Sequence, residues 1–213
     1  MFTPFDSIRI INLPERRDRR REMKRELAAI GLAGDPRVSF FPAIRPADAG
    51  AFTSIGARGV YLSQLTILRE AAATNSSVLI LEDDCDFSLA ARDYGFGNGW
   101  EIFYGGYYAA NPDNLLESDI IGAHMMGFTA RAAAQICNYL DSLQFEGIHP
   151  PIDAAYVWFR RAYPDVATRF ATPPLAMQRS SRSDIADLRF YDRLPILRAV
   201  TNLARQIIRW ARS

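Results

Sequence analysis

Lysine is almost missing from this chain. Of its 25 basic residues only Lys24 is a lysine. That absence excludes two classes at once. A P-loop nucleotide triphosphatase needs a glycine-rich loop ending in Gly-Lys-Ser/Thr. Lys24 instead lies in an arginine-rich stretch with no glycine beside it. A phospho-acceptor receiver domain wants a lysine on a late strand, and none follows residue 24. The arginine bias suggests a GC-rich genome, and a bacterial source is the expectation.

Cysteine is equally sparse. Cys85 and Cys137 are the only two, too few for a disulfide framework and without metal-ligand spacing, so a reducing cytosol is the expected home. No run approaches the roughly 20 apolar residues of a membrane span. The first residues, Met-Phe-Thr-Pro-Phe-Asp, lack a basic segment followed by an apolar one. The expectation is a cytoplasmic protein, neither exported by a visible signal nor threaded through a bilayer. A net charge of +1 offers no global field for nucleic acid. Internal repeats and low-complexity segments are absent too.

What is present is an ordinary globular composition, 49% hydrophobic and 23% charged over 213 residues. Ile8–Asn12 reads as a first strand, with Pro14 opening a helix whose Met23, Leu27 and Ile30 share a face and which Gly31 stops. Val38–Phe41 is a short strand closed by Pro42. A loop rich in Pro, Ala and Gly runs to about residue 57. Tyr61, Leu65, Leu68 and Ala72 mark a second helix. Val78–Leu81 is continuously apolar, as a strand covered on both faces should be. Trp100–Tyr104, ended by Gly105-Gly106, and residues 120–129 are further strands. Ala133, Ile136, Leu140 and Leu143 line another helix. Alternating strands and helices predict a mostly parallel α/β sheet flanked by helices.

One strand ends strangely. Val78-Leu-Ile-Leu-Glu-Asp-Asp-Cys-Asp86 runs from four aliphatic residues into Glu82, Asp83, Asp84 and Asp86. Adjacent carboxylates repel one another unless a metal ion, an arginine or water sits among them. In open sheets, ligands bind beyond the carboxyl ends of strands, which is where this cluster falls. Mg²⁺ or Mn²⁺ takes one or two carboxylates together with phosphate oxygens. The period of two puts Glu82 and Asp84 on one side of an extended segment and Asp83 on the other, where it would orient a neighbouring group.

Several segments together resemble glycosyltransferase family 25, the bacterial lipooligosaccharide galactosyltransferases and their collagen-modifying relatives. They are Ile10-Ile-Asn-Leu-Pro-Glu-Arg-Arg-Asp-Arg19, Phe41-Pro-Ala-Ile44, Gly56-Ala-Arg-Gly-Val-Tyr-Leu-Ser-Gln64, Leu79-Ile-Leu-Glu-Asp-Asp84, Ile121-Gly-Ala-His-Met-Met126, Pro151-Ile-Asp153 and Gln178…Ser183-Asp-Ile185. They fall in order across roughly residues 8–185. The resemblance implies a GT-A-like (Rossmann-like) domain over residues 1–185, a UDP-sugar donor, a divalent metal, and inversion at the anomeric carbon. It departs at Gln64, where the family usually has His, and at Met126, where it usually has Tyr. Both positions bear on the acceptor. They also keep open a second class, a non-catalytic relative that binds nucleotide sugar or glycan.

Each candidate site residue has a role and a plainer alternative. Asp84 and Glu82 are the expected metal ligands. Asn12 and Leu13, after the first strand, would lie beside the base or ribose; a turn or cap is the alternative for Asn12. Arg16 and Arg19, one helical turn apart, would share a face toward the diphosphate. Gly56 and Gly59 would let backbone approach the donor, and Ser63 and Gln64 would hydrogen-bond its sugar; turn or capping roles are the alternatives. Asp153, after Pro150-Pro151, is the expected base or else a helix cap, with Asp184 and Glu101 in reserve. His124 is expected to be a satisfied strand residue and His149 a loop residue.

Residues 193–213 carry five arginines and no acid. Arg198, Arg205, Arg209 and Arg212 fall on one arc of a helix, opposite Ile196, Val200, Leu203, Ile207 and Trp210. This is the pattern of a basic amphipathic helix lying on a membrane surface. Residues 186–213 are therefore expected to form a C-terminal tail, placing the enzyme peripherally on the inner face of the cytoplasmic membrane, near a glycan or glycolipid acceptor.

Overall fold

The computed structural model describes residues 2–179. Asp184 and the expected tail, residues 186–213, lie outside the described residues.

The chain begins with β1 (Ser7–Asn12), α1 (Arg17–Ala29), β2 (Val38–Pro42), α2 (Ile55–Ala73) and β3 (Val78–Glu82). A short β4 (Cys85–Phe87) and a 3₁₀ turn at Leu89–Ala91 follow. Then come β5 (Ile102–Ala109), β6 (Ile120–Phe128), α3 (Ala130–Asp141), α4 (Ile152–Ala162), β7 (Thr168–Phe170) and β8 (Ala176–Gln178). Six strands form one sheet in the order β2-β1-β3-β6-β5-β7, and β4 pairs with β8 in a separate ribbon.

Local chemistry explains most boundaries. Ser54 and Thr129 cap α2 and α3, their hydroxyls accepting from the N–H of Ala57 and Ala132 at 3.0 and 3.2 Å. Gly31, at φ +79°, turns the chain out of α1 where a side chain would clash. Pro14 does not open α1; it sits in a turn before it, and the helix begins at Arg17.

β3 is central, and its residues Val78–Leu81 are buried on both faces as their unbroken apolarity requires. Tyr61, Leu65 and Leu68 of α2, Ile136 of α3 and Phe159 of α4 cover one face. Met23 and Leu27 of α1, Cys85 and Ala176 cover the other. The result is a three-layer α/β arrangement.

One expectation about the sheet changes. β5 does not stop at Gly105-Gly106 but runs to Ala109, with irregular register against β6 there. The sheet is mostly parallel, as expected, with β6 as its antiparallel member. β1 is parallel to β2 and β3, and β5 to β7, while β6 is antiparallel to both β3 and β5. Residues 110–119 contain no crossover helix, so β5 and β6 form a hairpin. This hairpin carries the start of β6 beyond the end of β3, over the acid cluster.

No helix among the described residues is long and apolar enough to cross a membrane.

Close packing at Gly127 gives a direct test of the second face. A Cβ there would meet the Phe5 ring at 2.6 Å and Phe103 Cβ at 3.1 Å. Gly127→Ala should lower stability by about 1–3 kcal/mol in urea unfolding. A loss below about 0.5 kcal/mol would mean that this packing is looser than described.

Candidate functional site

The acid cluster sits where β1 and β3 end side by side, Ile11 being registered with Glu82. β3 stops at Glu82, and Asp83 and Asp84 form a turn. The period-two expectation therefore fails beyond Glu82, because the backbone is no longer extended. Asp83 and Asp84 reach the same partner: Arg19 Nη1 donates to Asp83 Oδ1 at 2.9 Å and to Asp84 Oδ2 at 3.1 Å. Of the three guests that such acids could take, the described residues supply an arginine.

Asn12 closes the cluster from the end of β1. Its Nδ2 donates to Asp83 Oδ2 at 2.6 Å, while its Oδ1 is buried with no hydrogen-bond partner among the described residues. Leu13 follows in the loop, its carbonyl accepting from Arg16 N at 2.8 Å. Arg16 does not share the face of Arg19. It sits at the helix cap and turns outward to Asp18, at 2.8 Å. Two residues one turn apart diverge here because Arg16 is not yet helical.

Asp153 arrives from α4, two residues after its Pro151 cap. Its Oδ2 accepts from Gly122 N at 2.8 Å and its Oδ1 from Ala154 N at 2.9 Å. It thus ties the first turn of α4 to the overhanging start of β6. Burial is the main cause raising its pKa from 3.8, against those backbone donors. Glu82 is pushed well above its usual value, first by burial, then by Asp84, Asp153 and Asp83, with Arg19 pulling the other way. Four carboxyl groups, Glu82, Asp83, Asp84 and Asp153, thus act on one another here, two of them paired with Arg19.

The β4/β8 ribbon brings in Gln178, quoted above only for its resemblance, and just after it Arg179, which sequence reasoning missed. Arg179 N donates to Asp84 O at 2.7 Å, and its guanidinium joins Asp86 to Glu22 of α1. Gln178 Nε2 reaches Glu82 Oε2 at 3.4 Å. No local signal links residue 179 to residues 22 and 84; only the long-range ribbon pairing brings them together.

The remaining candidates lie differently from the expected sugar pocket. Ser63 is fully buried, its hydroxyl donating to Gly59 O at 2.7 Å and accepting from Ile44 N at 2.8 Å. A Cβ on Gly59 would come within 2.6 Å of Ile44 O. These two residues clamp the segment after β2 onto α2, and the buried Ser63 hydroxyl commits its one donor to that clamp. Gly56 is exposed in the first turn of α2. Gln64 is buried and its Oε1 accepts from Tyr156 OH at 2.8 Å. Met126 packs in the core, registered between Ile80 and Tyr104.

Glu101 is removed from the site. It precedes β5 at the opposite end of the sheet, 3.4 Å from Arg131. His124 is a buried strand residue, its Nε2 3.0 Å from Ala176 O, with burial lowering its pKa to about 4. His149 stacks on Phe52 in the loop before α4, ring centroids 4.1 Å apart.

No protein-family model and no curated protein sequence matches the chain. Solved structures do. A glycosyltransferase involved in the glycosylation of the major capsid of PBCV-1 superposes at a TM-score of 0.51, with 11% identity, over 85% of this chain and 98% of its own. The apo-form glycosyltransferase GlyE of Streptococcus pneumoniae TIGR4 superposes at 0.46, with 8% identity, over 84% and 55%. An active-site mutant of LgtC superposes at 0.42, with 11% identity, over 78% and 72%. The first of these shows a fold shared with a glycosyltransferase, as the GT-A-like expectation required. The other two overlaps are too loose to add to it.

Glu82 supplies a pH test. The unfolded chain releases its proton near pH 4.5 and the folded chain only at higher pH. The unfolded state therefore holds fewer protons across that window, and stability falls as pH rises through it. Glu82→Gln removes this loss. Relative to wild type, the variant should gain stability as pH rises above 4.5 in urea unfolding. A pH-independent difference would show that Glu82 is not held in a strained charged state.

Proposed function

We propose that the protein is an inverting glycosyltransferase that moves a hexose, galactose from UDP-galactose in its most specific form, onto a lipooligosaccharide or other surface-glycan acceptor. The observation that carries this reading is the meeting of Glu82, Asp83 and Asp84 with Asp153, on separate elements, at the strand-end edge of a glycosyltransferase-type sheet.

A divalent cation, Mn²⁺ or Mg²⁺, fits the residues present. The donor set is all oxygen, it holds surplus negative charge, and Asn12 adds an unpartnered buried amide oxygen. No three His, Cys, Asp or Glu side chains among the described residues form a closed metal cage. Such ions need only one or two carboxylates when a diphosphate supplies further oxygens. Asp84 and Glu82 would hold the ion, which when bound supplies charge stabilisation for the departing diphosphate.

The other roles fall to the chain itself. Arg19 reaches the diphosphate from α1, and Asn12 with Leu13 borders the nucleoside. Asp153 takes the proton of the acceptor hydroxyl as that oxygen attacks the anomeric carbon. The bond from that carbon to the diphosphate oxygen breaks on the opposite face, giving a β linkage and UDP. A carboxylate whose pKa is raised by burial is better matched to this proton transfer than an ordinary one. The basic amphipathic sequence 193–213 would hold the enzyme at the inner membrane face beside a lipid-linked acceptor.

Thermal-shift screening of nucleotide sugars with and without Mn²⁺, followed by transfer assays on the stabilising donor, tests the reading. Asp84→Asn should abolish metal-dependent turnover. Asp153→Asn should lower kcat by about 10²-fold or more with donor affinity retained. Full turnover in either variant would contradict its role. Donor-stabilised melting with no sugar release across an acceptor panel would instead identify a non-catalytic binding protein.

A further inference from the structure

We propose that Arg19 is a resident cation of the acid cluster, bridging Asp83 to the Asp84 carboxylate that would also hold the divalent ion, and passing to the diphosphate when ion and donor arrive together. This role rests on the donor-binding reading above.

The contact itself resembles cation coordination. One nitrogen, Nη1, bridges two carboxylates at 2.9 and 3.1 Å. The Arg19 side chain keeps 18% of its surface exposed while those of Asp83 and Asp84 keep 9% and 7%. The guanidinium therefore enters from the solvent edge and can leave without opening the core. Asn12 gives an independent sign that the cluster takes more than Arg19. It is only 3% exposed, it is anchored on Asp83, and its Oδ1 is without a partner among the described residues. An amide oxygen is a ligand for a hard cation and is useless to a carboxylate.

Charge decides the direction of exchange. Arg19 brings one positive charge to Asp83 and Asp84, with Glu82 and Asp153 nearby. A divalent ion supplies more charge in less volume, but without a diphosphate it must displace an arginine already paired with two carboxylates. With a diphosphate present, the released guanidinium gains a planar, bidentate partner. Ion and nucleotide should therefore bind cooperatively, through Arg19.

Calorimetric titration of Mn²⁺ into the full chain, with and without UDP, tests this in wild type, Arg19→Gln and Arg19→Lys. Wild type should bind Mn²⁺ weakly alone and at least about tenfold more tightly with UDP. Arg19→Gln, relieved of the competitor, should bind Mn²⁺ alone about tenfold more tightly than wild type and lose most of the coupling to UDP. Arg19→Lys should keep the weak Mn²⁺ binding but lose coupling, because an ammonium cannot make the forked contact. If Arg19→Gln does not fold, the lysine variant decides. Wild-type coupling in Arg19→Lys, or unchanged Mn²⁺ affinity in a folded Arg19→Gln while the Mn²⁺–UDP complex still forms, would overturn the role of Arg19 and leave the donor site standing. Absence of Mn²⁺ uptake by wild type even with UDP would overturn both.

Discussion

Negative charge gathered at the end of a buried strand is the constraint around which this molecule is arranged. β3 must be apolar on both faces to sit at the middle of the sheet, yet it delivers Glu82, Asp83 and Asp84 to its tip. Carboxylates at such a position cost free energy unless positive groups or donors meet them. The fold supplies these from far along the chain, Arg19 from α1 and the amide of Asn12 from β1, while the backbone N–H of Arg179 beyond β8 holds the Asp84 main-chain carbonyl. The balance stays incomplete at Glu82, where burial first and like charge second still raise the pKa. An incompletely balanced, partly accessible cluster is a place for a ligand, whereas a fully paired one is only a structural joint.

The supporting structure is built to hold that edge still. Ser63 and Gly59 fix the segment after β2 to α2 through Ile44, and Asp153 fixes α4 to β6 through Gly122. Tyr156 and Gln64 join α4 to α2 across the core. Residues that resemble parts of a sugar-binding motif thus divide into two sets. Some line the cluster, and others place the elements that do.

Much of this was legible in the sequence. The unbroken apolar run of Val78–Leu81 marked the central strand. Helical spacing of Tyr61, Leu65 and Leu68 marked the layer above it. The abrupt change from aliphatic to acidic residues marked the site. Less was legible where tertiary geometry decides. The hairpin between β5 and β6 follows from a connection without a helix, but the glycines at 105 and 106 read as a stop instead of an irregular stretch of strand. Alternation of side chains failed at Asp83 because the strand ends one residue earlier. The positive partner of the acids could be narrowed to a metal, an arginine or water, and only the packing of α1 against the sheet singled out Arg19 over Arg16. The Arg179 network depends on pairing across more than ninety residues and leaves no local trace.

The most direct test of the central claim, that the tip of β3 gathers a cation to dock a pyrophosphate, is crystallographic. Crystals grown with UDP and Mn²⁺ should show an anomalous scattering peak bonded to a carboxylate oxygen of Glu82 or Asp84, with the UDP diphosphate on its other side. A nucleotide bound with no manganese peak at these residues, or a peak seated elsewhere on the sheet, would contradict it.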